Sequence, residues 1–234
     1  MTRRLFAGDL EPTTGLLTLE GDELHHIRNV LRARPGTIVE LFNGRGLRVQ
    51  AEIVDLGRRS ASLAIQGEPS LSPTPFPWTL AVALPKGDRA NWLVEKCTEL
   101  DVGRLAPLAT SRAVVTATAN KQDRLRRGVI EACKQCGRDW LMEIDEPRAL
   151  GDLFSLTVAE SNAGWLLDPE GVEISSIGDS RPSVVAVGPE GGWSDEELAA
   201  ADEHGWKRVR IARHVLRIET AALAAASWIS AGQF

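Results

Sequence analysis

The residues whose types and spacing best suit chemistry lie in two short segments near the end of the chain. In the first, "VVAVGPEGGWSDEEL" at residues 184–198, a strand-like run passes into three glycines, and Ser194 and Glu197 have the capping-box spacing that begins a helix. Glycines let the backbone turn sharply and bring its N–H groups close to a ligand. The spacing is neither that of a Walker loop nor that of a dinucleotide fingerprint. The segment therefore predicts either a ligand-binding loop of another kind or a plain strand-to-helix turn.

The second segment, "HVLRIETAALAAASWISAG" at residues 214–232, places Arg217 and Glu219 directly before an Ala-rich, uncharged run. Thr220 and Gly232 are predicted to be the N-cap and the stop of a helix. A helix that is apolar on every face must be covered on every face. We therefore expect this helix to lie against a sheet on one side and against a partner subunit on the other, with its burial holding the two charges in place.

The elements that position these segments follow from the rest of the chain. A Pro-rich stretch at residues 68–77 predicts a semi-rigid linker that divides the chain in two. Before it, strand-like runs flank "NGRG", whose Asn43-Gly44 pair is typical of a β-hairpin, and one helix is predicted at about residues 22–31, so this part fits a small β-barrel. After it, strands and helices alternate, with Asp88 as the N-cap of the first helix, which predicts an α/β sheet with helices on its faces.

A helix predicted at about residues 123–140 has one apolar face and one basic face. The basic face carries four cations and one acid: Arg124, Arg127, Lys134 and Arg138, with Glu131. Such a stripe is usually a solvated surface. In a chain of net charge −5, where nucleic acid could bind only to local patches, the excess of cations favours a ridge that contacts phosphates.

Several classes of protein are excluded or disfavoured by what the sequence lacks. Cys133 and Cys136 form a C-x-x-C with no second pair to complete a zinc site, and they are predicted to be buried packing residues. The four histidines have no metal-ligand spacing, and there is no G-x-S-x-G, so neither a metalloenzyme nor a serine hydrolase is expected. The odd number of cysteines fits a reducing cytoplasm. The longest uncharged run, residues 220–234, is shorter than the ~18 residues that a membrane span needs.

Taken in order, motifs along the whole chain resemble the SPOUT class of RNA methyltransferases. More narrowly, they resemble the bacterial enzymes that methylate N3 of a uridine in small-subunit (16S) ribosomal RNA. "HHIRNVLRARPG" and "LFNGRG" are similar to the family's N-terminal, PUA-like RNA-binding barrel. The motifs similar to its catalytic domain are "KGDRANWLVEKCTELDVGRLAPL", "TSRAVV", "EACKQCGR", "VAVGPEGGWSDEE" and "VLRIETAAL".

The resemblance implies an α/β fold with a PUA-like β-barrel at residues 1–67, the linker at 68–77, and a SPOUT methyltransferase domain with a deep trefoil knot at 78–234. It implies a cytoplasmic homodimer whose active sites lie near the subunit interface. The implied partner is 16S ribosomal RNA, with the small ribosomal subunit as the expected setting, and no metal or membrane is implied.

The resemblance also implies which residues bind the cofactor and the RNA. S-adenosylmethionine is expected in the knot, held largely by backbone groups of three loops: Leu84 and Pro85; Gly188, Pro189, Glu190, Gly191 and Gly192; and Ile211, Val215, Leu216 and Thr220. RNA is expected to contact a set of basic residues: Arg28, Arg32, Arg45, Arg112, Arg124, Arg127, Lys134 and Arg138.

The two charges of the second segment then acquire a chemical role. Uridine N3 must lose its proton to attack a methyl group, and the resulting negative charge is shared with O2 and O4. A fixed cation stabilises that charge, and Arg217 is the predicted cation. Glu219 could either orient Arg217 or accept the N3 proton. The uridine is expected to be turned out of its base stack to reach the site.

Three positions depart from the family pattern. Ile218 stands where Thr is usual, Ala212 where Gly is usual, and His214 where a basic or polar residue, often Arg, is usual. Two alternatives to ribosomal uridine methylation remain open: a SPOUT enzyme that acts on another RNA base or on transfer RNA, and a non-catalytic RNA-binding relative.

Overall fold

The computed structural model describes residues 3–112, 119–158, 164–177 and 181–231. The chain divides into an N-terminal unit, residues 1–75 together with 133–141, and a C-terminal unit, residues 76–132 and 142–234. None of the helices within the described ranges is long and apolar enough to cross a membrane.

The N-terminal unit is built on a five-stranded sheet. Its strands are β1 (Arg4–Phe6), β2 (Leu16–Leu19), β3 (Ile38–Phe42), β4 (Leu47–Leu56) and β5 (Ala61–Leu71). They lie in the order β1-β3-β4-β5-β2, with β1 and β3 parallel and the other neighbours antiparallel. Alternate aliphatic residues of the strands point to one face and form the core. The predicted helix is α1 (Gly21–His25), which continues as a π-helical turn over His26–Val30.

The predicted β-hairpin at "NGRG" is confirmed. Residues 43–46 connect β3 to β4, which pair antiparallel. The side-chain oxygen of Asn43 accepts hydrogen bonds from the backbone N–H of Arg45 at 2.8 Å and of Leu47 at 3.1 Å. This side-chain bonding to nearby backbone is the reason that Asn favours turns.

The predicted linker begins too early, because β5 continues to Leu71. Ser70 and Leu71 pair with Arg48 and Leu47 of the long strand β4. The available partners on β4 draw residues 68–71 into the sheet despite their Pro and Ser content, which local composition could not reveal.

Residues 133–141 join the N-terminal unit through buried charges. The side chain of Arg4 is 4% exposed; it donates to the Asp139 carboxylate and to the Cys133 carbonyl oxygen at 3.0 Å, and it pairs with Glu40 at 2.7 Å. Removing one member of such a group would leave a buried, uncompensated charge. The predicted division at residues 78–234 missed this segment because its contacts join residues more than 100 positions apart.

The C-terminal unit is an α/β structure, as predicted. Its strands are β6 (Thr79–Val82), β7 (Arg104–Ala109), β8 (Glu143–Ile144), β9 (Arg148–Ala149), β10 (Trp165–Glu173), β11 (Val184–Val187) and β12 (Lys207–Arg210). They are all parallel, in the order β12-β10-β11-β6-β7-β8, with β9 also paired to β7. A parallel sheet of this kind fits the knotted domain that the resemblance implies.

The helices of this part are α2 (Asp88–Glu99), α3 (Ala119–Cys136), α4 (Leu150–Val158), α5 (Asp195–Glu203) and α6 (Ile218–Ala231). The last turn of α3 is grouped with the N-terminal unit. The residues of β6 and β11 are buried throughout and form the centre of the sheet. Such continuous apolar strands are typical of parallel sheets covered on both faces.

Three predicted helix ends are corrected. Helix α3 ends at Cys136 and does not reach Trp140, because Gly137 has a φ of +86°. Helix α6 begins at Ile218, since the Ala221 N–H donates to the Arg217 carbonyl at 2.9 Å, so Thr220 lies inside the first turn and is not the N-cap. The N-cap of α2 is Gly87, which leaves Asp88 as the first helical residue. The predicted stop of α6, Gly232, lies outside the described residues.

Candidate functional site

An open-sided pocket lies beside the carboxyl ends of β11 and β12. The carboxyl end of a parallel sheet is where ligands of open α/β proteins bind. We call it the loop pocket. It is lined by β10 at Leu167, Asp168 and Pro169, by β11 and the loop after it at Val187, Gly188, Pro189, Glu190, Gly192 and Trp193, by β12 and the loop after it at Val209, Arg210, Ile211, Ala212, His214, Val215 and Leu216, and by α6 at Ile218 and Ala221.

The loop after β11, residues 188–193, owes its course to its glycines. A Cβ atom at Gly188 would lie 2.8 Å from the ring of Trp193, whose indole N–H donates to the Leu167 carbonyl at 2.9 Å. Gly192 has a φ of +70°, a conformation that other residues rarely adopt. The glycines therefore let Trp193 pack closely against the loop and let the backbone take a course that other residues rarely allow.

The exit of this loop is fixed by the start of α5. The Glu197 N–H donates to Ser194 Oγ at 3.2 Å, and the Ser194 N–H donates to Glu197 Oε2 at 2.8 Å. The predicted capping box is therefore confirmed.

The part of the lining that the loop after β12 supplies is largely apolar. Ile211 and Leu216 are half-buried, and Val215 is 81% exposed although it is apolar. Ile218 and Ala221, three positions apart, extend this lining on one face of α6. A pocket lined by apolar residues together with a few polar groups suits a ligand with one apolar part and one polar part.

Asp168 is a polar group of the loop pocket that the sequence analysis missed. Its carboxylate is 8% exposed and is held by Arg208, with Oδ2 2.6 Å from Nη2. The other oxygen accepts from the Glu170 N–H at 3.0 Å. In the sequence, Asp168 is a single acid after the apolar run "GWLL". That pattern is too short to distinguish a site residue from a residue at the end of a strand.

The predicted cofactor residues fall into two groups. Those that line the loop pocket are Gly188, Pro189, Glu190, Gly192, Ile211, Val215 and Leu216. Those that do not line it are Leu84, Pro85, Gly191 and Thr220. Leu84 is half-buried and Pro85 is buried, whereas Thr220 is exposed on α6.

Arg217 and Glu219 also lie outside the lining, and their environments differ. Arg217 is exposed, and its guanidinium has no hydrogen-bond or ion-pair partner among the described residues. Glu219 is 8% exposed; its Oε1 accepts from Arg89 Nη1 of α2 at 3.4 Å, and its buried Oε2 has no partner within the described ranges. Glu219 is thus held by Arg89, and it does not orient Arg217 in this structure.

Most of the residues predicted to contact RNA are exposed on the surface of their own unit. The exposed ones are Arg28, Arg32, Arg45, Arg112, Arg124 and Arg127, while Arg138 is half-buried. Arg45 pairs with Glu11 and Arg124 with Asp88, each at 2.8 Å, and exposed pairs of this kind are weak enough to open for a phosphate.

Lys134 does not fit a phosphate contact. It is 8% exposed, and its Nζ pairs with Glu23 at 2.9 Å inside the N-terminal unit. The sequence placed Lys134 on the basic face of α3, but Glu23 of the N-terminal unit covers that position in the fold.

The cysteines follow the prediction only in part. Cys133 is buried, and burial raises the pKa of its thiol to about 12. Cys136 is exposed, contrary to the prediction, because it lies at the end of α3 beside the exposed Gly137. No group of metal-ligating side chains occurs in the part of the chain that the structure describes.

Comparison with known protein families gives two matches along the chain. A family described as an RNA methyltransferase domain matches residues 72–230, and one described as an RNA methyltransferase PUA domain matches residues 19–66. Together the two matched ranges reach from the N-terminal sheet to α6.

Named relatives agree with these matches. The ribosomal RNA small subunit methyltransferase E of Synechocystis is 31% identical over 99% of this chain and 78% of the relative. The Bacillus subtilis protein of the same name is 26% identical over 91% and 89%.

Two solved structures are similar over almost their whole length. A ribosomal RNA small subunit methyltransferase E from Neisseria gonorrhoeae, bound to S-adenosyl methionine, superposes with a TM-score of 0.88 at 27% identity, covering 99% of this chain and 98% of the other. A methyltransferase from Legionella pneumophila, in complex with the cofactor SAM, has a TM-score of 0.87 at 30% identity with the same coverage.

Proposed function

The chain belongs to the RNA methyltransferase family, and on that premise we propose that it is an S-adenosylmethionine-dependent enzyme that methylates N3 of a uridine in small-subunit (16S) ribosomal RNA. The observation that carries the proposal is the loop pocket, which is lined by a glycine-rich loop and by an apolar loop at the carboxyl end of a parallel sheet. Similar proteins are named for the small ribosomal subunit and have been crystallised with this cofactor.

The residues present fit S-adenosylmethionine. The lack of a side chain at Gly188 lets Trp193 pack against the glycine loop, and both residues line the loop pocket. Ile211, Val215 and Leu216 supply apolar surface for a purine, and Glu190 also lines the pocket, where a carboxylate suits hydroxyl or ammonium groups. When bound, the cofactor supplies an electrophilic methyl group on a sulfonium.

Arg217 is the proposed catalytic residue. It is exposed and has no partner in the described structure, so its charge is available to an incoming base. It directly precedes Ile218, a lining residue of the loop pocket, and its carbonyl anchors the first turn of α6. A fixed cation here would stabilise the negative charge that develops on N3, O2 and O4 of the uridine.

Glu219 is better suited to positioning than to either role that the sequence left open. Its Oε1 accepts from Arg89 of α2 at 3.4 Å, and Glu219 is 8% exposed, in contrast to the exposed Arg217. We propose that the Arg89–Glu219 pair fixes the first turn of α6, and that the N3 proton leaves to water.

We further propose that the enzyme is a cytoplasmic homodimer and acts on RNA within the small ribosomal subunit. Trp92 of α2 is 46% exposed, and α6, which packs against α2, has half-buried apolar residues at Leu223 and Trp228. A second subunit that covers this surface would satisfy the apolar faces of α6. The basic residues of the PUA-like unit, Arg28, Arg32 and Arg45, are proposed RNA contacts.

The deciding experiment is mass mapping of ribosomal RNA after incubation with the protein and isotopically labelled S-adenosylmethionine. The proposal expects one labelled nucleotide, an N3-methyluridine in 16S RNA. Label in another base or in transfer RNA would contradict the proposed substrate. Cofactor binding without any methyl transfer would point to a non-catalytic relative.

A further inference from the structure

The short segment after β7, residues 110–112, contacts the glycine loop of the loop pocket. The Arg112 guanidinium donates a hydrogen bond to the Gly191 carbonyl oxygen. One position earlier, the Ser111 N–H donates to Glu197 Oε1 at 3.1 Å. The segment therefore touches the loop at its turn and at the helix that follows it.

Glu197 connects the two contacts. Its Oε1 accepts from Ser111, while its Oε2 accepts from the Ser194 N–H at 2.8 Å as part of the capping box. Each carboxylate oxygen of Glu197 thus accepts from a backbone N–H, one from segment 110–112 and one from the end of the glycine loop. Segment 110–112 is tied to the same residue that sets where the glycine loop ends.

Gly191 leaves room for Arg112 to lie against the loop. A Cβ atom at Gly191 would approach Arg112 Cδ to 3.2 Å, closer than ordinary packing allows. Gly191 itself does not line the loop pocket, but its neighbours Glu190 and Gly192 do. Holding the Gly191 carbonyl from outside therefore fixes the backbone on both sides of it.

We infer that Arg112 is a positioning residue for the cofactor loop, and not the RNA contact that its charge suggested. Its guanidinium holds Gly191 so that Glu190 and Gly192 stay in place at the pocket wall. The inference rests on the proposed function only in that S-adenosylmethionine is the ligand of the loop pocket.

The test measures S-adenosylmethionine affinity by calorimetry without RNA, together with kcat and the two KM values with RNA. Arg112→Ala should weaken cofactor binding about fivefold to tenfold, as expected for loss of one hydrogen bond from a charged donor near solvent. The KM for RNA and kcat at saturating cofactor should stay near those of the unaltered protein. Arg112→Lys keeps a hydrogen-bond donor but loses the planar guanidinium. Its affinity for S-adenosylmethionine should lie between those of the unaltered protein and of Arg112→Ala.

A double-mutant cycle ties the effect to the loop. Gly191→Ala should weaken cofactor binding in the unaltered protein, because its methyl group displaces Arg112. In the Arg112→Ala background the same change should cost less, since nothing remains to be displaced. Arg126 is an exposed cation of α3, and Arg126→Ala is the matched control. It should not alter the affinity for S-adenosylmethionine in either background.

The outcomes are separable. If the unaltered protein binds no S-adenosylmethionine, the proposed function fails whatever Arg112 does. If the unaltered protein and Arg112→Ala bind S-adenosylmethionine equally well, the positioning role is overturned. A raised KM for RNA in Arg112→Ala would indicate instead that Arg112 contacts RNA.

Discussion

Arg217 and Glu219 stand two positions apart in the sequence and yet occupy different environments. Arg217 is exposed at the start of α6, whereas Glu219 is turned inward and paired with Arg89 of α2. Successive helical residues are rotated by about 100°, so two positions are enough to separate a reactive group from a supporting one. The structure therefore argues for different roles for the two charges.

Replacement of Arg217 tests the proposed transition-state cation. Arg217→Ala should lower kcat by about 10²- to 10³-fold, the cost of losing one electrostatic contact to a developing charge. Affinity for S-adenosylmethionine and the unfolding midpoint should be retained, because the side chain is exposed and has no partner in the described structure. Single-turnover methylation assays measure the first quantity and calorimetry the second; near-normal turnover would remove Arg217 from the mechanism.

Replacement of the Arg89–Glu219 pair distinguishes positioning from proton transfer. Arg89→Met should destabilise the protein by about 1–3 kcal/mol in urea unfolding, because it leaves a buried carboxylate without its donor. Adding Glu219→Gln to that variant should recover part of the loss, since no buried charge then remains.

The pH dependence of kcat tests whether Glu219 accepts the N3 proton. If Glu219 only positions α6, Glu219→Gln should keep the shape of the pH profile of the unaltered protein. A base would be protonated and inactive at low pH, so loss of that acidic limb in Glu219→Gln would assign the proton to Glu219.

At the scale of elements, tight turns decide where the segments of each unit lie. The connection between β3 and β4 passes so close to Trp140 that a Cβ atom at Gly46 would lie 2.6 Å from the indole ring, and Gly46 has a φ of +90°. The hairpin and residues 133–141 therefore form one packed part of the N-terminal unit. In the C-terminal unit, Gly188 allows the equivalent close approach of Trp193.

Gly46→Ala should therefore destabilise the N-terminal unit by about 2–4 kcal/mol, through backbone strain and overpacking against Trp140. Urea unfolding followed by tryptophan fluorescence measures the loss. Gly15→Ala is the matched control, because a Cβ atom there meets nothing within 4 Å, and it should change stability by less than about 0.5 kcal/mol. Equal stability of the two variants would contradict the packing argument.

At the scale of the whole molecule, the apolar surface on α2 and α6 bears on assembly. Helix α6 buries Ile218, Ala222, Ala225, Ala226 and Ile229 within the C-terminal unit, whereas Ala221, Leu223, Ala224 and Trp228 are only half-buried. One chain thus covers one side of the helix. The proposed homodimer accounts for the other side.

Light scattering should give twice the 25.4 kDa chain mass, and Trp92→Glu should shift the protein toward the monomer. A charge at a 46% exposed tryptophan would be buried unpaired in the proposed interface. Val54→Glu, at a 45% exposed residue of β4, is the control and should leave the mass unchanged. A monomeric mass for the unaltered protein would remove the proposed interface.

The sequence alone determined the features that depend on neighbouring residues. The Asn43-Gly44 turn, the Ser194 capping box and the alternation of strands and helices after the N-terminal unit are local, and each was predicted correctly. Local chemistry is sufficient here because turns and caps are satisfied by atoms only a few residues away.

The tertiary structure alone decided which groups meet across long stretches of chain. It placed residues 133–141 with Arg4, buried Lys134, paired Glu219 with Arg89 and laid Arg112 on Gly191. These contacts join residues 79 to 135 positions apart, and no periodicity or composition encodes such a pairing. Arg4, Lys134 and Glu219 are buried, and a buried charge must find its partner wherever the fold supplies one, whereas the exposed Arg112 depends on how the loops are packed.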